Sequence, residues 1–186
     1  MLADRTKKWK AGFMLIVLMM ACVGSGGCGN SSSKDPLQDP TAVTTPDGEV
    51  IHYGDTQESV EKILGMEITG GNEHFPEYED RTEAFYREKN GEYHMAYIHI
   101  RESSYTTYQG IRVGDNWEEV REKLNSDLIA ETFSGARIVF DNGKQINANT
   151  DQDEWEEDWL VLGYVYNTEG DIISISVLDV KAFNFQ

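Results

Sequence analysis

"IHYGDTQESVEKILG", residues 51–65, decides the fold, because a similar phrase, "IRVGDNWEEVREKLN", occupies residues 111–125. The two copies share an Ile, a Gly-Asp pair, a Glu, a Val and a Leu at matching positions. In each copy, apolar residues recur every three or four positions, a spacing that predicts a short amphipathic helix. The repetition predicts a domain built from two similar units.

Both predicted helices carry start and stop signals. Asp55 and Asp115 stand where an N-cap carboxylate accepts the free backbone N–H groups of the first turn, and a glutamate follows three residues later in each copy. Gly65 and Asn125 come just after the two helices, and both residue types readily adopt the left-handed conformation that ends a helix. The start, the apolar face and the stop therefore recur together.

Antiparallel strands are predicted after each helix. Asn90-Gly91 lies between two β-rich runs, and this dipeptide is a strong hairpin signal. In the second unit the strands are "ARIVFD" (136–141), "DWLVLGYVYN" (158–167) and "DIISISVLDV" (171–180). Alternation predicts that one core face of the last two strands holds Leu160, Leu162, Tyr164, Ile173, Ile175 and Val177.

The predicted fold class is α+β, as a tandem repeat of two modules. Each module is a short capped helix packed on an antiparallel β-meander, over residues 49–110 and 111–186. A unit of about sixty residues buries too little surface to be secure alone, so two are expected to share a core.

The repeated unit, "I-x-x-G-D-x-x-x-x-V-x-x-x-L-G" followed by antiparallel strands, resembles the repeat of the β-lactamase inhibitor protein fold and of SmpA/OmlA-type lipoproteins. It is closer to tandem-repeat lipoproteins of Gram-positive bacteria. The resemblance covers most of residues 51–180 and implies an α+β fold and a protein-binding role. It assigns a function to none of the individual residues.

Residues 1–27 are predicted to be a lipoprotein signal peptide. A lysine-containing start precedes an apolar run at 11–23 that is short for a membrane span. The small residues that follow resemble a lipobox, with Cys28 as the lipidated residue and Cys22 as the alternative. An uncleaved membrane anchor or a secreted chain are the other interpretations. All of these interpretations put the folded part outside the cytoplasmic membrane. The lipobox interpretation also implies a lipid anchor in the cell membrane.

Residues 28–48 are predicted to be the lipidated cysteine and a disordered tether, since this segment holds three of the four prolines and few large apolar residues. Residues 1–27 contain four Lys or Arg and one acidic residue, which leaves 12 basic and 32 acidic residues from Cys28 onward, a net charge of −20. Such a surface repels nucleic acid and anionic lipid.

The first predicted hairpin has a face rich in tyrosine and methionine, side chains that suit adaptable contact surfaces. Its members are Tyr86, Tyr93, Met95 and Tyr97. We predict an exposed binding surface for a protein or peptide there, unless this face packs against the second module. Trp155 is a further candidate, either as an anchor for a partner or as a core residue.

The acidic stretch at 147–158 has some spacing of a calcium loop. Its candidate oxygen ligands are Asn147, Asn149, Asp151, Asp153 and Asp158. The sixth position, however, is Gln152 instead of glycine, which favours a solvated acidic loop over calcium binding. The four histidines are His52, His74, His94 and His99, and none forms an H-x-x-x-H pair. We predict no metal and no cofactor.

G-x-S-x-G and G-x-x-x-x-G-K-[ST] do not occur. G-x-G-x-x-G occurs once, at residues 24–29, but these small residues span the end of the predicted leader and do not lie between a predicted strand and a predicted helix. The predicted function is therefore non-enzymatic, as a membrane-anchored extracytoplasmic lipoprotein that binds a protein or peptide. The alternatives are an envelope-maintenance lipoprotein without a specific ligand and a cell-wall hydrolase, which would need a cleft with two facing carboxylates.

Overall fold

Antiparallel strands dominate the computed structural model, which describes residues 39–149, 155, 156 and 158–183. The strands are β1 (Val43–Thr44), β2 (Val50–Ile51), β3 (Ile68–Asn72), β4 (Phe75–Tyr78), β5 (Glu83–Lys89), β6 (Glu92–Ile100), β7 (Thr106–Thr107), β8 (Ala130–Thr132), β9 (Gly135–Asp141), β10 (Lys144–Ile146), β11 (Leu160–Tyr166) and β12 (Ile172–Asp179). The helices are α1 (Gln57–Leu64), α2 (Trp117–Arg121) and α3 (Val180–Phe183).

The strands form two sheets within the described residues. The large sheet has the order β10-β9-β11-β12-β6-β5-β4-β3, and β8 also pairs with β9. The small sheet has the order β2-β1-β7. The predicted α+β class is thus confirmed in a coarse form: the fold is mostly antiparallel sheet with few, short helices.

The N-caps of the two repeated helices differ from the prediction. Thr56 Oγ1 accepts a backbone N–H three residues later at 3.3 Å, and Asn116 Oδ1 accepts one two residues later at 3.1 Å. The predicted capping by Asp55 and Asp115 is wrong, because both carboxylates accept the backbone N–H three residues before them, at 2.8 and 3.0 Å. Each aspartate closes the turn that leads into its helix instead.

Only the first of the two predicted helix stops is confirmed. Gly65 has φ of 59° and its N–H donates to the carbonyl of Glu61 at 2.9 Å, which ends α1. Asn125 has φ of −79°, so the prediction of a left-handed residue there is wrong. Because α2 already stops at Arg121, the chain reaches Asn125 outside the helix and continues into a 3₁₀ turn at Ser126–Leu128.

The predicted hairpin at Asn90-Gly91 is confirmed. Both residues have positive φ, 58° and 87°, as a two-residue turn between twisted strands requires. The strands are not in simple alternation, however, because Phe85 pairs with Tyr97 and Tyr86 pairs with Met95. One residue of β6, Ala96, has no partner, which is a β-bulge that moves later side chains to the other face.

A second bulge occurs in the β11–β12 hairpin. Val165 pairs with Ser174 and Tyr166 pairs with Ile172, so Ile173 is the extra residue. Ile173 is 48% exposed, and its predicted position in the core is wrong for this reason. The other predicted core positions of β11 and β12 are buried, except for Leu160, which is half-buried.

The main core lies between one face of the large sheet and the elements that cover it. Its buried members include Ile51, Val60, Tyr86, Ile98, Trp117, Val120, Ile138, Leu162 and Ile175. Both α1 and α2 contribute side chains to it, as does the small sheet. The apolar stripes of the repeated helices therefore face the sheet, as their spacing predicted.

The fold begins earlier than the sequence predicted. Residues 39–48, assigned above to a disordered tether, belong to the structure: Val43 pairs with Ile51 in β2 and with Thr107 in β7. Asp39 is buried and accepts hydrogen bonds from Thr41, through its backbone N–H at 3.0 Å and its hydroxyl at 2.7 Å. Val43 and Thr44 are β-branched, but the strand that they form has only two residues and therefore does not stand out in a polar segment.

The predicted leader lies outside the described residues. This applies to residues 1–27, to Cys22 and Cys28, and to the part of the tether before Asp39. Within the described ranges, none of the helices has the length and apolar character needed to cross a lipid bilayer.

Candidate functional site

The second face of the large sheet is only partly covered. A smaller apolar cluster lies there, formed by Tyr97, Val139, Ala148, Trp155, Val161, Leu178, Val180 and Ala182. Ala148 and Trp155 precede β11, and Val180 and Ala182 belong to α3. These elements cover the sheet beside Val161 and Leu178, and a groove lies next to them.

The groove has a volume of about 410 Å³ and runs across the central strands of the sheet. Side chains and backbone of Tyr97, His99, Arg137, Gly163, Val165 and Ser176 contribute to its lining. Within the described part of the chain, the lining includes no Asp or Glu, although the protein has 33 of them. The groove is therefore much less acidic than the rest of the molecule.

Polar residues form one row across this face in direct register. Arg137 pairs with Gly163, Gly163 with Ser176, and Ser176 with His99. Glu83 pairs with His99 on the far side and is bound by Arg101 at 2.9 Å. Because directly paired residues lie on the same face of a sheet, the row follows the floor of the groove.

Gly163 keeps the floor of the groove open. A Cβ atom at this position would lie 2.7 Å from the hydroxyl oxygen of Ser176. Strands rarely contain glycine in their interior unless the backbone must stay accessible or a close approach is needed. The absence of a side chain here leaves space between Arg137 and Ser176.

His99 is held in one tautomer by its neighbour Tyr97. The Tyr97 hydroxyl lies 2.7 Å from His99 Nδ1. Burial, and then the Glu83 carboxylate, raise the pKa of Tyr97 to about 12, so its hydroxyl keeps its proton. Burial, and then the Arg101 guanidinium, lower the pKa of His99 and favour its neutral form. Because the Tyr97 O–H has no other hydrogen-bond acceptor among the described residues, we assign it as the donor to Nδ1, which puts the ring hydrogen on Nε2.

The Nε2 atom of His99 is buried and has no hydrogen-bond partner within the described residues. A buried donor without an acceptor costs about 1–3 kcal/mol. Nearly all buried polar groups in folded proteins have a partner, so an exception requires an explanation. His99 Nε2 is one of several such atoms among the described residues, and His99 lines the groove.

The neutral state of His99 has a consequence for stability against pH. Because the pKa is lowered in the folded chain below the ordinary value of 6.5, the unfolded chain takes up the proton first as the pH falls. Stability should therefore drop as the pH decreases through about 6.5. His99→Gln should remove this component, which has a slope of at most about 1.4 kcal/mol per pH unit.

Urea unfolding followed by circular dichroism, from about pH 7.5 to 5.5, measures this difference. The groups near the imidazole are the Tyr97 hydroxyl, the Glu83 carboxylate and the Arg101 guanidinium, and all three remain in the variant. An identical pH slope in the wild type and in His99→Gln would contradict the assignment of a neutral imidazole at position 99.

The predicted tyrosine surface of the first hairpin is wrong as a single exposed face. The bulge at Ala96 puts Tyr86 and Met95 in the main core, 1% and 2% exposed. Tyr93 is half-buried and stacks on His74 with 3.8 Å between ring centroids. Tyr97 alone lies on the second face, where it lines the groove.

Trp155 is buried in the cluster on the second face, as one of the two alternatives predicted. Its ring is 8% exposed, and the Arg137 guanidinium carbon lies 5.8 Å from the ring centroid. Trp155 therefore packs against the sheet next to the groove and helps to fix the arginine at its wall.

The acidic stretch contributes no metal site among the described residues. Asn147 Oδ1 accepts the backbone N–H of Asn149 at 3.0 Å, and Asn149 Nδ2 donates to the carbonyl of Ile129 at 3.0 Å. Asp151 and Asp153 lie outside the described residues. In the part of the chain that is described, no group of three or more His, Cys, Asp or Glu could hold a metal ion.

A second, wider cavity of about 740 Å³ lies beside α2. Its walls include Glu118 and Glu131, and Arg121 lies 2.8 and 3.6 Å from these two carboxylates. Phe133, at the tip of the β8–β9 hairpin, also contributes and is 94% exposed. Both carboxylates already have a cationic partner, which makes this cavity a weaker candidate than the groove.

Three groove residues were not predicted from the sequence as site residues: His99, Arg137 and Ser176. On its own strand, each of these residues lies between two apolar residues of the main core. Period-two alternation in the sequence therefore predicts that its side chain faces away from that core. The pairing of β12 with β6, which brings Ser176 next to His99, joins residues that are far apart in the chain and has no local signature.

Comparison with models of protein families, with curated proteins and with solved structures gives no match. The function is therefore inferred from the leader and from the groove.

Proposed function

We propose that this chain is a lipid-anchored lipoprotein on the extracytoplasmic side of a membrane, and that its folded part binds a peptide segment of another protein in the groove. The lipid anchor is proposed from the sequence, with Cys28 as the modified residue and Cys22 as the alternative. The binding role is proposed from the geometry of the second sheet face.

One observation carries the proposed binding role: the second face is filled beside Trp155 and left open over Gly163 and Ser176. A sheet face without a covering element exposes apolar and polar groups that a partner can bury. The volume of about 410 Å³ lies within the usual range for ligand pockets and is enough for a few side chains of an extended peptide.

Charge favours a peptide over the alternatives of nucleic acid and anionic lipid. The net charge of −20 from Cys28 onward repels both polyanions over the surface as a whole. The described lining of the groove nevertheless has Arg137 and no acidic residue. A small acceptor group within an otherwise uncharged segment fits this distribution best.

We also propose that the fold consists of two tandem modules, since the two repeated phrases make the same contacts. Gly54 N donates to the carbonyl of Met95 at 3.0 Å, and Gly114 N to that of Ile172 at 2.8 Å. In both copies the strand residue donates back to the aspartate that follows the glycine, at 2.8 and 2.9 Å. Met95 and Ile172 each stand directly before their bulge.

The strand order supports the same proposal. Each helix is followed by a run of neighbouring antiparallel strands, β3-β4-β5-β6 in one case and β8-β9-β11-β12 in the other, with β10 as an addition. The two runs meet where β12 pairs with β6, with Ile98 opposite Val177 and Ile100 opposite Ile175. The groove lies across this junction, so two modules would be needed to build it.

Ser176→Tyr tests the proposed binding role. Ser176 is in register with Gly163, so a tyrosine ring at 176 can lie over the glycine and fill the groove. The immobilised full chain is incubated with a pool of N-acetylated random octapeptides, and the bound peptides are quantified by mass spectrometry. We expect the amount bound by the variant to be lower than that bound by the wild type by a factor of at least about ten. The tested pools have either a free carboxylate or an amide at the C-terminus.

Ile173→Tyr is the matched control, because Ile173 lies on the same strand, is exposed and does not line the groove. It should bind the peptides as the wild type does. If Ser176→Tyr also binds as the wild type, the groove is not the binding site. If the wild type retains neither pool, the alternative of a structural lipoprotein without a ligand is favoured.

The hydrolase alternative finds less support. It needs two facing carboxylates in a cleft. The described lining of the groove has none, and in the wider cavity Glu118 and Glu131 are both paired with Arg121. Binding without chemistry on the ligand is therefore the function that these cavities support best.

A further inference from the structure

The Nε2–H of His99, which has no acceptor among the described residues, indicates which chemical group a ligand must bring. The His99 ring receives the Tyr97 hydroxyl on Nδ1, so Nε2 carries a hydrogen that points to no acceptor within the described residues. A ligand that supplies an acceptor oxygen relieves the cost of this buried donor. A ligand without an acceptor leaves that cost in place.

The surroundings of this donor favour a negatively charged acceptor over a neutral one. Arg137 lies in the same cross-sheet row, three strands away from His99, and brings a guanidinium to the other end of the groove. The hydroxyl of Ser176 lies between them in the row, and it can donate a further hydrogen bond. Glu83, which is in register with His99, is bound by Arg101 at 2.9 Å, and the described lining of the groove itself has no Asp or Glu.

We propose that the groove recognises the free C-terminal carboxylate of a peptide, with His99 Nε2–H donating to one carboxylate oxygen. Ser176 donates to the same group, and Arg137 supplies the opposite charge. A hydrogen bond from a protein donor to an ionised carboxylate is stronger than one to a neutral amide carbonyl. This inference rests on the proposed function, since it names the part of the peptide that the groove binds.

The open position at Gly163 is consistent with this assignment. The missing side chain leaves space between Arg137 and Ser176, where a planar carboxylate can approach the sheet. The apolar wall formed by Val161 and Leu178 continues along the groove and can contact the side chain that precedes the carboxylate. The polar row and the apolar wall therefore suit the end of a peptide chain.

The test compares two pools of N-acetylated random octapeptides that differ only at the C-terminus, one with a free carboxylate and one with an amide. The full-length wild type should retain the free-acid pool at least about tenfold better than the amide pool. His99→Phe keeps a ring but has no donor, so the preference should fall below about twofold. His99→Gln supplies an N–H at a similar reach and should restore part of the preference.

His74→Phe is the matched control, because His74 stacks on Tyr93 and does not line the groove. Its preference for the free-acid pool should equal that of the wild type. Circular dichroism measures whether each variant is folded. If His99→Phe does not fold, the preference of His99→Gln is compared with that of the wild type instead.

The outcomes separate this inference from the proposed function. Equal retention of both pools by the wild type, with loss of both in Ser176→Tyr, overturns the carboxylate assignment and leaves peptide binding intact. An unchanged preference in His99→Phe also overturns it. Retention of neither pool by the wild type overturns the proposed function and this inference together.

Discussion

Asp179→Ala is expected to lower the free energy of unfolding by about 3–5 kcal/mol, a large part of the stability of an ordinary domain. Asp179 is only 2% exposed and ends β12. It accepts hydrogen bonds from Arg87 at 2.5 and 3.2 Å, from the Tyr53 hydroxyl at 2.6 Å and from the backbone N–H of Ala182 at 2.6 Å. The substitution removes the acceptor that all of these donors share.

The large effect follows from the position of this carboxylate. It connects β5, the loop before α1, and α3, so its loss leaves partly or fully buried donors in three elements without this acceptor. Arg87 is 31% exposed and can be hydrated in part, which favours the lower end of the range. Urea unfolding of the full-length chain, followed by circular dichroism, measures the change.

Asp127→Ala is the control for Asp179→Ala, since Asp127 is exposed. Its effect should remain within about 0.5 kcal/mol. The double variant Arg87→Ala, Asp179→Ala should lose less stability than the sum of the two single variants, because they share one interaction. A loss below about 1 kcal/mol for Asp179→Ala would contradict the role of this network.

Trp117→Ala is expected to cost about 3–5 kcal/mol, because it removes the largest side chain of α2 from the main core. The Trp117 ring lies 5.4 Å from the ring of Tyr164 and is stacked on that of Tyr166 at 5.6 Å. Its Nε1–H donates to a Glu131 carboxylate oxygen at 3.2 Å. Contacts of this kind tie the short second helix to β11.

Trp117→Phe is the matched variant for this position. It keeps an aromatic ring over Tyr166 and loses the hydrogen bond to Glu131, so the expected loss is about 1–2 kcal/mol. Circular dichroism is the appropriate signal, because the substitution also removes a fluorophore. If alanine costs no more than phenylalanine, α2 is not held on the sheet by this ring.

The elements with strong local signals were predictable. The apolar stripe of each repeated helix depends on spacing within one short segment, and the Asn90-Gly91 turn depends on two residues that accept positive φ. Gly65 ended α1 for the same local reason. The prediction failed at Asn125, because α2 had already stopped four residues earlier.

The candidate site was less predictable, because two bulges and one long-range pairing decide it. Alternation alone puts Tyr86 and Met95 on the same face as Tyr97, but the extra residue Ala96 sends Tyr97 to the opposite face. In β12 the extra residue Ile173 has the same effect on the residues after it. A bulge has no reliable local sequence signal, and a one-residue shift exchanges the two faces of a strand.

The most direct test of the central claim is to map the ligand on the sheet. Backbone amide chemical shifts of the isotope-labelled full-length chain are measured during titration with the free-acid octapeptide that the wild type retains best. We expect the changes to concentrate at His99, Gly163 and Ser176, across the junction of β11, β12 and β6. Changes centred on Trp117 and Phe133, or no changes at all, would contradict the claim that this groove is the binding site.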